Sequence, residues 1–323
     1  MKTSAPLFTV ATISYNSGKW IRQTIESVLA SSFSNFEFLI SDDCSTDNTW
    51  AIIKEYKDPR IKAERNENNI GEYPNRNKVL HAASGEYIFF IDGDDILFHD
   101  SLQRISKYIS FFPDAGALYG VAPHQFDFVV MPYLFTPKEI TGLIYLNLLP
   151  ITVVGFAETI FKSSALKNMG GFKENISIGD NYVKRRLACV ESILLVPLGF
   201  TFWRQTEGQA TKLAARNYRS MKENYFIDIE ILRSSYFPLQ GNDKSIAVDN
   251  FKIRTIKLLI KNTLLKGNLI SFVKIFNHFS LSFPDLIFAF KKGKYNFKLN
   301  ASGANPLINK YNFTSDFSDE KNI

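Results

Sequence analysis

The chain has 323 residues, 45% of them hydrophobic, enough to bury a core and to build either one large domain with an appendage or two domains. Its two cysteines, Cys44 and Cys189, show no paired spacing, which argues against a thiolate metal site and for a reducing compartment. The net charge of +6 is uneven: residues 212–323 hold 18 Lys or Arg against 9 Asp or Glu, while residues 1–211 are mildly acidic. A basic tail on an acidic body implies an anionic partner surface, and since no nucleic-acid-binding motif accompanies it, nucleic acid is set aside in favour of lipid head groups.

Residues 1–6 contain no apolar run of signal-peptide length, so the chain is expected to stay in the cytoplasm. Residues 7–13 read as a strand, and Ile21, Ile25, Val28 and Leu29 follow helical spacing. Residues 36–41 form the next strand, Ser45-Thr46-Asp47 opens a short helix reaching about Tyr56, and residues 60–65 give a short strand. A helix over 73–83 carries Val79, Leu80 and Ala83 on one face, and the apolar run 87–91 is the central strand. This alternation with short connections predicts parallel strands and makes residues 1–112 half of a nucleotide-binding α/β domain. Residues 113–211, broken by Pro113, Pro123, Pro132, Pro137 and Pro150, read as the acceptor-facing half of the same domain, with the uncharged run 142–157 as buried core. Residues 212–299 are helical and basic: Ile253, Ile256, Ile260 and Leu264 lie on one helix face and Arg254, Lys257 and Lys261 on the other. Phe272, Phe276, Phe279 and Phe283 follow, then Lys291, Lys292 and Lys294. Two readings stay open for this region, a helical lid on the preceding domain and a membrane-surface element. Residues 300–323 read as a flexible tail.

The chemistry concentrates at two strand ends. Asp92-Gly93-Asp94-Asp95 follows the central strand directly, and carboxylates this close repel one another unless a cation joins them. Hard oxygen ligands suit Mg²⁺ or Mn²⁺. An acidic turn that merely caps the next helix is the alternative. A second acidic pair, Asp42-Asp43, at the end of strand 36–41 makes a ligand site the better reading, because ligands of open α/β sheets bind beyond the carboxyl ends of the strands. The histidines, His81, His99, His124 and His278, are scattered and form no metal-binding pattern. The first strand lacks the glycine-rich phosphate loop of dinucleotide oxidoreductases and sugar-nucleotide synthases.

Taken in order, Ile13-Ser14-Tyr15-Asn16, Ser27-Val28-Leu29, Phe36-Glu37, Asp42-Asp43-Cys44-Ser45-Thr46-Asp47, Asn69-Ile70-Gly71, Asn75-Arg76-Asn77, the segment 83–88 and Asp92-Gly93-Asp94-Asp95 resemble the inverting glycosyltransferases of family 2. Gly170-Gly171-Phe172 and Gly179-Asp180 resemble that family's acceptor-side motif, and the resemblance covers roughly the first two thirds of the chain. It implies a GT-A fold: α/β, Rossmann-like, with a mostly parallel central sheet flanked by helices, here with a helical C-terminal extension. It implies a metal-dependent, inverting transfer of a sugar from a nucleotide-sugar donor, UDP-linked in the first instance, to a glycan or lipid-linked acceptor. Such chemistry serves cell-surface polysaccharides such as capsule or lipopolysaccharide, with the enzyme peripheral on the inner face of the cytoplasmic membrane.

The same resemblance implies roles for individual residues. Tyr15 and Asp43 would hold the base, with Ser14 also in the nucleotide site, Arg76 would bind the base or the diphosphate, and Asp92, Asp94 and Asp95 would hold the ribose hydroxyls and the metal that bridges the diphosphate. Asp94 or Asp95 would ligate Mn²⁺ or Mg²⁺, and Asp180 would be the general base, with Arg186 supporting its helix. Bland roles compete: Tyr15 as a strand-end core aromatic, Asp43 as a helix cap, Arg76 and Arg186 as surface cations. The chain departs from the family pattern at Gly179, where an acid is common, and at Thr206, in a loop that often carries a histidine. Arg204, Gln205 or Thr206 could contribute from that loop. The departures leave room for a catalytically inactive member that binds nucleotide or glycan as an assembly partner.

Overall fold

The computed structural model describes residues 6–122, 130–146, 155–205, 218–279 and 281–291. The first part alternates strand and helix: β1 (Phe8–Ser14), α1 (Ile21–Leu29), β2 (Phe36–Asp42), α2 (Thr49–Ile53), β3 (Ile61–Arg65), α3 (Glu72–Ala82) and β4 (Tyr87–Phe90). Next come β5 (Ile96–Leu97), α4 (Ser101–Phe111), β6 (Ala117–Val121), β7 (Tyr133–Phe135), α5 (Pro137–Tyr145), β8 (Thr159–Lys162), α6 (Ser163–Asn168), α7 (Gly179–Ala188), β9 (Ile193–Pro197) and β10 (Thr201–Phe202). Four further helices follow: α8 (Arg219–Arg233), α9 (Gly241–Asn262), α10 (Leu269–His278) and α11 (Phe283–Lys291).

Eight strands form one sheet in the order β3-β2-β1-β4-β8-β6-β9-β7. β1 is parallel to β2 and β4, and β2 to β3, while β8 runs antiparallel to β4 and β6, so β6 and β9 again point with the first four. The chain leaves β1 toward β2 and β3, then returns to β4 on the other side of β1. That reversal opens a crevice beyond the carboxyl ends of β1 and β4, where such sheets bind ligands. The strands are apolar on both faces because helices cover both. Phe8, Val10, Phe38, Ile40, Tyr87, Phe89 and Ile91 join one core with α1, α2 and α4, while Ala11, Leu39, Ile88 and Phe90 join the other with α3, α5, α6 and α7.

Two details refine the sequence reading. α2 starts at Thr49, not at Ser45, because the Ser45 amide and hydroxyl donate to Asp42 and Asp47 accepts from the Thr49 and Gly18 amides, each at 2.9 Å. The polar side chains that advertise a helix start are spent on tying loops together. In α9, the face bearing Ile253 and Ile256 is buried in a third core with Met221, Leu259, Ile275 and Phe279. The amphipathic pattern of this helix therefore records packing among the C-terminal helices themselves. Of the run 142–157, Gly142, Leu143, Ile144, Tyr145, Leu146 and Ala157 are buried, and residues 147–154 lie outside the described residues, as does the tail from 300 onward.

At the opposite end of the sheet from the crevice, buried Glu37 accepts from Thr9 Oγ1 at 2.6 Å, the Ser84 amide at 2.7 Å and Lys62 Nζ at 2.8 Å. Burial alone would push this carboxyl up, but the hydrogen bonds outweigh it and hold the group at about 2.

Candidate active site

β1 delivers Ser14 and Tyr15 to the crevice. Ser14 is buried, its hydroxyl 3.4 Å from Asp42 Oδ1, whereas Tyr15 stands at the mouth with half of its surface exposed. Asn16 takes a left-handed turn (φ 51°), and its carbonyl oxygen Oδ1 accepts from the Thr46 amide at 2.8 Å, so the loops after β1 and β2 are held side by side. An exposed aromatic ring is not the packing residue that a bland reading of Tyr15 requires.

Asp43, at the end of β2, is buried and accepts from Asn66 Nδ2 at 2.8 Å and from the Ile70 and Gly71 amides at 2.9 Å each. It caps no helix. Its carboxylate ties the loop 66–71 to the end of β2.

Beyond β4 the turn Asp92-Gly93-Asp94-Asp95 packs against the end of β1 so closely that a Cβ on Gly93 would lie 2.9 Å from Ser17 Oγ and 3.2 Å from Ser14 Cβ. Asp92 is half-buried and accepts from Arg76 Nη2 at 2.7 Å. Asp94 is half-buried, and its backbone carbonyl accepts from Arg204 Nε at 2.8 Å. Asp95 is buried: Oδ1 accepts from the Arg204 amide at 2.9 Å, and Oδ2 has no hydrogen-bond donor. Burial, reinforced by the like charges of Asp92 and Asp94, pushes the Asp95 carboxyl up to about 7 against the Arg204 amide.

An undonated, buried carboxylate oxygen beside a second, more open carboxylate fits a hard divalent cation, and Asp94 and Asp95 are the residues that would hold it. Among the described residues no three His, Cys, Asp or Glu side chains gather into a metal site, so water and a diphosphate would have to complete the shell.

Arg76 is not a solvated cation. It is buried on α3, bonded to Asp92 and to Glu72 Oε1 (3.1 Å), with its guanidinium 4.4 Å from the Phe156 ring centroid and 5.4 Å from that of Phe90. Its Nη1 finds no acceptor. The neighbours on α3 explain the Asn-Arg-Asn run, since successive helical residues point about 100° apart and reach three elements. Asn75 Oδ1 accepts from Ser41 Oγ at 2.6 Å on β2, Arg76 binds the β4 turn, and Asn77 Oδ1 accepts from the Phe172 amide at 2.8 Å. Gly171, at φ +72°, has no room for a Cβ, which would stand 2.4 Å from Asn77 Oδ1.

α3 also touches the segment that carries Asp180. Gly179 and Asp180 begin α7, and the Tyr73 ring lies where a Cβ on Gly179 would meet it at 2.7 Å. Tyr73 thus fills the place of a side chain at 179. Asp180 is partly exposed, with Lys184 Nζ 3.4 Å from its Oδ2. Burial lowers the Lys184 ammonium, opposed by Asp180. Glu72, which sequence reasoning passed over, lies between the two acidic centres. Although part of its side chain is open to solvent, crowding by protein raises its carboxyl, with Asp92 and Asp180 adding to the rise and Arg76 opposing it. The four-residue Glu72–Arg76 spacing was its only signal.

The loop after β10 lies against the acidic turn. Besides its two bonds to Asp94 and Asp95, Arg204 donates to Gln23 Oε1 at 2.8 Å and sits 4.0 Å from the Trp20 ring centroid. Its role is to fasten this loop to the turn. Gln205 is exposed, and Thr206 lies outside the described residues. Arg186 donates to Tyr182 Oη at 2.8 Å on the back of α7 and stays out of the site.

What fixes α7 is α8. Glu223 accepts from the Ser177 amide (2.8 Å) and hydroxyl (2.6 Å), and Glu230 from Lys173 (2.6 Å) and Tyr182 (3.2 Å). Buried Asp228 accepts from Arg185 (3.0 Å), Tyr145 (2.8 Å) and Arg254 (2.6 Å). Arg185 thus ties α7 to α8 through a buried carboxylate, while Arg186 stacks on Tyr236, 5.5 Å from its ring centroid.

The chain resembles known proteins in sequence and in fold. The profile of Glycosyl transferase family 2 matches residues 9–170. The provisionally named teichuronic acid biosynthesis glycosyltransferase TuaG of Bacillus subtilis is 28% identical over 237 residues, 71% of this chain and 89% of that protein. Escherichia coli WfaP, named UDP-Glc:alpha-D-GlcNAc-diphosphoundecaprenol beta-1,3-glucosyltransferase, is 34% identical over 153 residues, 46% of this chain and 60% of its own length. In three dimensions the crystal structure of Staphylococcus aureus TarS 1-349 in complex with UDP-GlcNAc superposes with a TM-score of 0.64 at 22% identity, covering 84% of this chain and 80% of TarS 1-349. This likeness establishes the GT-A fold.

Proposed function

This chain belongs to glycosyl transferase family 2 and is a glycosyltransferase, and we propose that it moves a sugar from a UDP-linked donor to a hydroxyl of a lipid-linked glycan in the assembly of a cell-surface polysaccharide. The observation that carries this reading is that α3 touches both the acidic turn after β4, through Arg76, and the start of α7 beside Asp180, through Tyr73. The names of TuaG and WfaP support the process, the donor class and the lipid-linked acceptor. The reaction takes place at the inner face of the cytoplasmic membrane, with the protein peripheral to it. Among the described residues no helix is long and apolar enough to cross a membrane.

In this reading Tyr15 stacks on the base, and Asp43 and the loop it moulds line the base pocket. Asp92, oriented by Arg76, faces the ribose. A divalent cation held by Asp94 and Asp95 would offset the charge that collects on the leaving diphosphate. Asp180 takes the proton of the acceptor hydroxyl while its oxygen bonds to the anomeric carbon and the bond from that carbon to the diphosphate breaks. Attack from the side opposite the leaving group inverts the anomeric centre. The Lys184 ammonium orients the Asp180 carboxylate toward the acceptor.

The test is incubation of the purified protein with UDP-sugars and diphosphoundecaprenol-linked acceptors, with product configuration read by NMR. Transfer that chelation abolishes and Mn²⁺ or Mg²⁺ restores, with inversion, is expected. Saturable UDP binding without turnover for any pair would replace the reading by that of a binding-only member.

A further inference from the structure

We propose that the outer surface of the last three helices is a docking face for an anionic lipid bilayer, made by apolar side chains that the fold leaves uncovered and by lysines around them. The inference deepens the reading of a lipid-linked acceptor, on which it rests.

α10 shows the anomaly most clearly. Phe272, Ile275, Phe276 and Phe279, at helical spacing, turn inward to the third core with α8, α9 and α11. A surface helix of this kind should be polar on its other side. Instead Leu269 is 62% exposed, Ile270 84%, and Val273 on the same outer side is also exposed. The helical turn Leu264–Lys266 just before it holds Leu265, 77% exposed, and on α11 Phe283 and Ile287, one turn apart, are exposed as well. With Leu258 on α9, seven of the large exposed hydrophobics fall between residues 258 and 287.

Charge selects the occupant. Residues 250–291 carry seven Lys or Arg and a single acid, Asp285, which is paired with Lys252 at 2.9 Å. Lys257, Lys261, Lys266 and Lys274 are all exposed, and on α10 Lys274 lies one turn from exposed Ile270, so a cation and an apolar side chain share one side of that helix. A second copy of this chain would bring like charges face to face, whereas an anionic leaflet neutralises the lysines and takes up the apolar side chains at the head-group boundary. The helices are tied through α8 to the segment that carries Asp180, so a docked face and the acceptor side belong to one connected set of helices.

Vesicle flotation of the full chain, with neither donor nor acceptor present, tests this separately from the reaction. The protein should float with phosphatidylglycerol-containing vesicles at low salt and less at high salt. The pair L265D/I270D, at exposed positions, should weaken partition at least about tenfold, and K261Q/K266Q/K274Q by about a hundredfold. Both variants should keep the melting temperature of the parent, which shows that the fold survives. No flotation of the parent at either salt, or unchanged flotation of L265D/I270D, would overturn the proposal. So would a dimer in sedimentation equilibrium that I270D dissociates, since a second copy would then be the occupant. Absence of sugar transfer in a separate assay would leave the flotation result untouched and count only against the reaction.

Discussion

At the carboxyl ends of β1, β2 and β4 the site is held by backbone: parallel strands set the spacing, and Asp43, Asp92 and Asp95 bond to neighbours within the same α/β half or to the loop pinned on it. Asp180 is held differently. It rides on α7, and α7 is positioned by carboxylates of α8, the first of the C-terminal helices. The contrast teaches that the proposed donor side is a local property of the strand-helix alternation, while the placement of Asp180 depends on carboxylates of a helix more than 40 residues further along the chain. Changes on the two sides should therefore separate binding from turnover, and stability from both.

The sharpest separation is expected from D180A. Loss of a general base should lower transfer by about a thousandfold, with UDP binding unchanged in calorimetry. Similar loss of both would place Asp180 on the donor side and break the contrast. D228A should come next. It leaves Arg185 buried without its carboxylate and Arg254 without a partner, at a cost of about 3–4 kcal/mol in urea unfolding. A cost below about 1 kcal/mol would mean that α8 does not brace α7. Y15A removes the half-exposed ring proposed to stack on the base and should weaken UDP binding by about 1–2 kcal/mol, with little change in the turnover of saturated enzyme.

The smallest effect lies far from the site. The Glu37 carboxyl is held at about 2 in the folded chain against an ordinary 4.5. It therefore contributes stability above pH 4.5 that is lost as the pH falls toward 2. E37Q should cost about 1–2 kcal/mol at neutral pH, discounted because Lys62 is largely exposed, and the gap to the parent should close as the pH is lowered to 2. A constant gap across that range would show that packing, not charge, is lost.

The donor half was legible because its signals are local. Apolar runs of strand length end in Asp42-Asp43 and Asp92-Gly93-Asp94-Asp95, and the helix between carries Asn75-Arg76-Asn77, so strand, turn and site coincide within a few residues. What sequence reasoning missed is long-range. Glu223, Asp228 and Glu230 look like ordinary acids on a polar helix face, and their partners Ser177, Arg185, Lys173 and Tyr182 lie 43 to 57 residues away. For the same reason Arg186 was singled out and Arg185 was not, since adjacent arginines differ only in which side of α7 they occupy. Arg204 was identified as a loop residue of interest, but its work, fastening the loop to the acidic turn through the Asp94 carbonyl, requires the fold to be seen.

Calorimetry of UDP binding to the parent, D94A and D180A, each with and without Mn²⁺, tests the division of labour most directly. The account predicts Mn²⁺-dependent binding in the parent and in D180A, and its loss in D94A. Equal, Mn²⁺-independent affinity in all three proteins would contradict it.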